Sequence, residues 1–95
     1  PTRDENGDRV SDFLMIIPKL RQKPENHIQR TLNDIDRALK QFKTDIVFAN
    51  MDMKLNTLWV SFKSEPGLFM EIAAAIKLQV PEAVLVGDMS SRLAK

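Results

Sequence analysis

Between Glu25 and Lys43 the apolar residues Ile28, Leu32, Ile35, Leu39 and Phe42 recur at steps of 4, 3, 4 and 3. Only an α-helix gathers that period onto one stripe. The opposite face carries Gln29, Arg30, Asn33, Arg37, Lys40 and Gln41, so the helix has one side for a core and one for water. Pro24 suits its first position, where an N–H would be unpaired anyway, and Glu25 suits the positive end of the helix dipole. An amphipathic helix needs a second apolar layer to lie on, and the rest of the chain must supply it.

The flanking segments read as strands. Asp12 to Ile17 is a short apolar run stopped by Pro18, strand-length and too short for a helix. Asp45 to Ala49 and Thr57 to Phe62 are β-branched or aromatic in bias, and the polar stretch between them predicts a hairpin with a long loop. Ser64-Glu65-Pro66-Gly67 ends that hairpin and opens a second helix, Leu68 to Gln79. Val80 precedes Pro81 and is biased away from helix, so the helix stops there. Ala83 to Val86, before Gly87-Asp88, is a last short strand.

This order, βαββαβ, predicts an α+β fold of the ferredoxin-like kind: a four-stranded antiparallel sheet in spatial order 4-1-3-2 with two helices on one face. Ninety-five residues allow one such domain. We assign residues 12–88 to it, with 1–11 as a polar leader or linker and 89–95 as a short tail. A start at Pro1 suits a soluble domain excised from a longer protein. The fold hosts enzymes, RNA binders and dimerising regulatory modules alike, so function has to come from its surfaces.

Composition narrows the choice. Fourteen basic residues against 13 acidic ones argue against indiscriminate adhesion to nucleic acid or anionic lipid. With no Cys and one His, side chains of this chain offer no thiol chemistry or soft-metal site, and no cofactor is implied. The missing Cys leaves the redox compartment open; a cytoplasmic location is the expectation. No apolar run approaches the roughly 20 residues of a membrane span.

If helices cover one face of the sheet, the other should be polar unless something covers it. In the third strand Leu58, Val60 and Phe62 point one way and Trp59, Ser61 and Lys63 the other, which puts the only Trp on the helix-free face. The remaining strands are apolar on both parities, and an apolar strand at a sheet edge is usually covered. The second helix is also apolar nearly all round. These features predict an interface of Trp59, Ser61, Lys63, Met15, Val84 and Val86, occupied by a second copy of the chain or another domain of the same protein.

Other constellations are thinner. Lys19 to Lys43 holds seven basic residues against three acidic ones. Lys19, Arg21 and Lys23 precede a helix N-terminus, where a small anion such as phosphate could sit, although no glycine is there to wrap it. Trp59-Val60-Ser61-Phe62 resembles the end of the strand motif of RNA-recognition-motif domains, which implies an open-face aromatic stacking a base of single-stranded RNA. The chain departs from that motif at Asn56-Thr57-Leu58 and at Met15. Arg21 and Asn50 resemble the phosphate-binding Arg and water-orienting Asn of acylphosphatases, but the glycine-containing loop of that family is missing. Heavy-metal-associated domains share the fold, and their paired cysteines are absent. His27 reads as a surface histidine, and no other catalytic constellation stands out. The leading expectation is a non-enzymatic dimerisation or regulatory module. Single-stranded RNA binding is the alternative and an acylphosphatase-like phosphohydrolase a more distant one.

Overall fold

A computed structural model describes residues 9–88, so most of the expected leader and the whole of the tail lie outside the described residues. The elements follow the predicted order: β1 (Val10–Ile16), α1 (Glu25–Lys40), β2 (Ile46–Asp52), β3 (Thr57–Lys63), α2 (Leu68–Gln79) and β4 (Val84–Asp88), with a short 3-10 turn at Leu20–Gln22. The four strands form one antiparallel sheet in the order β2-β3-β1-β4. This is the ferredoxin-like plait. β1 starts at Val10, inside the stretch expected to be leader, because Val10 and Ser11 pair with Lys63 and Phe62.

One side of the sheet carries the core. Phe13, Met15 and Ile17 from the first strand and its end join Leu58, Val60 and Phe62 of β3 beneath Ile35 and Ala38 of α1 and Leu68, Ile72 and Ile76 of α2. Phe13, Phe62 and Phe69 form an aromatic trio with centroids 5.4 to 6.3 Å apart. On α1 the most buried positions are Thr31, Ile35 and Ala38, while Leu32 and Leu39 of the predicted stripe are half-buried. The most buried line of the helix therefore runs through Thr31, Ile35 and Ala38, at steps of 4 and 3, one residue before Leu32 and Leu39 at its two ends.

Both helix starts lack a side-chain cap. Pro24 sits one position before α1, and its carbonyl accepts from His27 and Ile28 N–H at 3.0 Å each. The helix ends at Lys40, three residues short of expectation, because the chain turns to meet the sheet. There the Phe42 carbonyl accepts from Asp45 N–H (2.8 Å) and Ile46 N–H (2.9 Å). The start of α2 depends on Gly67, whose φ of 80° is left-handed. A Cβ there would lie 3.8 Å from Glu71 Oε2, ordinary contact, so only the backbone objects to a side chain. Gly67→Ala is expected to cost about 1–2 kcal/mol in a denaturant titration, with an unchanged m-value.

Two irregularities re-aim side chains. β2 changes register against β3 between Ile46 and Phe48, which makes Val47 an extra residue. Ile46 and Ala49 therefore both pair with core-side residues, Phe62 and Val60, whereas Phe48 is opposite Ser61 on the other face. Against β1, the pairing slips between Leu14 and Met15: Met15 is opposite Leu85 but Leu14 is opposite Gly87, so Val86 is the residue passed over.

Candidate functional site

The helix-free face is built from alternate residues of the four strands, and the register fixes their neighbours. One row across the sheet reads Asn50, Trp59, Leu14, Gly87; the next reads Asp52, Thr57, Ile16, Val84. On the other side of the Trp59 row, Phe48 faces Ser61, which faces Asp12, and Lys63 pairs with Val10 at the far end. Trp59 is 39% exposed and Phe48 56% exposed, and Ile16 and Val84 are also open to solvent. Apolar side chains thus cross the face from β2 to β4, with Lys63 towards one end and Asp52 towards the other.

Five of the six residues expected at this surface fall where alternation or the sheet edge put them. Trp59 and Val84 are exposed on the face, Ser61 and Lys63 are half-buried at the next two positions of that parity along β3, and Val86 is exposed at the β4 irregularity. Met15 does not belong to it. Its side chain is 1% exposed in the core, because it pairs with Leu58, which is buried against the helices. Leu14 and Ile16 are the β1 residues of the open face. Both parities of β1 are apolar, so periodicity alone cannot say which one faces the helices. Phe48 was a further member that the sequence pattern did not assign, since its side depends on the Val47 bulge.

The Lys19-Arg21-Lys23 cluster lies in the turn between β1 and α1, with all three residues exposed. Lys19 has a left-handed backbone, φ 61°. The turn is tied to the tip of the β2–β3 hairpin. Arg21 N–H donates to Asn56 Oδ1 (2.9 Å), Ile17 N–H donates to the Asn56 carbonyl (2.8 Å), and Arg21 Nη1 approaches the Lys54 carbonyl at 3.4 Å. Asn56 is itself left-handed, φ 54°, a conformation that asparagine tolerates better than most residues. Asp52 organises the same tip by accepting from Lys54 and Leu55 N–H at 3.0 and 3.3 Å. Arg21 thus serves the joint between two loops, and the carboxylate of Glu25 stands at the start of the helix that would meet an anion.

Asn50, the residue resembling the acylphosphatase asparagine, is exposed on β2 beside Trp59. His27 is half-buried in the first turn of α1. Among the described residues no three His, Cys, Asp or Glu side chains gather into a group that could hold a metal ion. No helix among them is long and apolar enough to cross a membrane. Outside the sheet, the solvent side of α2 exposes Met70 (60%) and Leu78 (80%), two of the apolar residues that made this helix read as buried all round.

Comparison with protein-family models, with curated proteins and with solved structures finds no match to the chain.

Proposed function

We propose that the chain is a non-enzymatic dimerisation module that associates with a second copy of itself through the helix-free face of its sheet, as a regulatory domain does. The observation that carries this reading is the row Trp59–Leu14, adjoining Ile16 and Val84. It is a stretch of large apolar side chains on a face that no helix of the described residues covers. Charge on the face favours a copy as the occupant. Asp12 and Asp52 accompany Lys63, so two copies brought together by a twofold axis present opposite as well as like charges, and the apolar centre supplies the affinity.

A second reading has its own observation. Phe48 stands diagonally beside Trp59 on the same face, one strand over and one row along, giving two aromatic side chains where the sequence pattern secured one. Two neighbouring rings are the minimum for stacking successive bases of single-stranded RNA, and Lys63, at the far end of β3 from Trp59, could meet a phosphate.

Salt separates the two. An apolar dimer is indifferent to salt or tightens with it, whereas RNA binding weakens steeply as counterions compete. Sedimentation of the protein at rising concentration is expected to show a doubling of mass that persists at high salt. A panel of short single-stranded RNAs is expected to remain unbound at low salt. RNA binding at low salt by a protein that stays monomeric would reverse the ranking.

A further inference from the structure

The open face is not the only surface suited to a second copy. β2 forms one edge of the sheet, with β3 as its sole strand neighbour among the described residues. Alternate N–H and C=O groups along an edge strand point away from the sheet. Among the described residues, Val47 to Met51 make no backbone hydrogen bonds outside the β2–β3 ladder. Edge strands are normally blunted by a proline, a lysine or an inward-pointing charge. Ile46-Val47-Phe48-Ala49-Asn50-Met51 contains none of these, and Val47 to Asn50 are all exposed. The Val47 bulge disrupts only the beginning of the strand, which leaves Phe48 to Asp52 in regular pairing. The opposite edge, β4, is five residues long and its pairing is interrupted within that length.

We infer that β2 pairs antiparallel with β2 of a second copy, centred on Asn50, to make one continuous eight-stranded sheet. An antiparallel pair of identical strands about a twofold axis normal to the sheet satisfies the outward groups of both copies at once and keeps the helices of both on one side. Charge agrees with that direction. Asp45 precedes β2 and Lys54 follows it, so antiparallel pairing about Asn50 brings Lys54 of one copy to within one position of Asp45 of the other at both ends of the ladder. Parallel pairing would stack like on like. This contact uses a different surface from the open-face association and does not rest on it, since edge-paired copies still expose both open faces.

The chain contains no cysteine, so a single introduced thiol reports on its own position. Pairing centred on Asn50 holds the two copies of that residue about 4.5–5.5 Å apart at Cα, within disulfide reach. Asn50→Cys, made in a Trp59→Ala background to remove the face contact, is expected to oxidise to a covalent dimer. Leu55→Cys, also exposed but in the hairpin loop, is expected to stay monomeric. Ala49→Lys, also in the Trp59→Ala background, is expected to raise the dissociation constant by about tenfold or more, because a charge at a free edge opposes pairing. Circular dichroism checks that this variant is folded, and the cysteine pair tests the contact independently of it. A Trp59→Ala protein that is monomeric at every concentration, or one whose Asn50→Cys form cross-links no better than Leu55→Cys, overturns the inference. So does an edge that takes up unrelated extended peptides but not its own copy. Loss of the face contact with survival of the edge contact, or the reverse, identifies which of the two readings has failed.

Discussion

Phe13→Ala is expected to destabilise the domain by about 3–5 kcal/mol and to lower its melting temperature by roughly 15 °C or more. Phe13 is 0% exposed, and its ring packs within 5.4 Å of Phe69 and 5.7 Å of Phe62, centroid to centroid. Truncation removes the ring from the junction of β1, β3 and α2, and the surrounding backbone belongs to the two central strands, which cannot collapse freely into the space. A domain of this size holds only about 5–15 kcal/mol in total, so the change consumes a large share of it. Thermal denaturation followed by circular dichroism measures the loss. Phe69→Ala and the double variant complete a cycle. The double is expected to cost less than the sum of the singles, because each single already breaks the same ring contact. A cost below about 1 kcal/mol for Phe13→Ala would mean that the trio is not the centre of the core.

How much of this was legible in the sequence varies with the distance over which each feature is decided. α2 begins and ends at Leu68 and Gln79 as expected, since its signals are local: Pro66 and Gly67 before it, Val80-Pro81 after it. The strand order also followed from the succession of elements, because few topologies connect βαββαβ without crossed or left-handed links. The end of α1 was less visible. Phe42 continues the apolar stripe, yet its carbonyl is used to start β2, a bond that exists only once the sheet is in place. The open face was legible in β3, where Trp59, Ser61 and Lys63 alternate cleanly with Leu58, Val60 and Phe62. It was illegible in β1, where Leu14 and Met15 are equally suited to a core. Here the register with β3 decides, placing Met15 opposite Leu58 and Leu14 opposite Trp59. Phe48 depended on the bulge at Val47, a long-range property of the β2–β3 ladder that no local residue pattern announces.

Trp59→Ala separates folding from association most sharply, because its side chain lies on the face away from Phe13. Trp59 is 39% exposed, so the folded chain already covers more than half of the residue, and its cross-strand neighbours in the row are Asn50 and Leu14. Truncation is therefore expected to cost the monomer only about 1 kcal/mol, in the range of a cross-strand pair. In association the same side chain is the largest group on the face and a natural anchor, and its loss is expected to weaken the dimer by about 2 kcal/mol or more, roughly thirtyfold. The chain has one Trp and no Tyr, so fluorescence reports this position alone. Dilution of the wild-type protein is expected to move the emission to longer wavelength in step with the fall in mass, as the indole passes from the contact into water. Leu14→Ala is expected to weaken association in the same direction. Met15→Ala, one position along and on the other side of the strand, is expected to cost about 2–5 kcal/mol of folding stability instead. Emission that does not change with concentration, in a protein whose mass stays that of one chain, would remove the helix-free face as a site of self-association. The two exposed rings, Trp59 and Phe48, would then be left to the RNA reading.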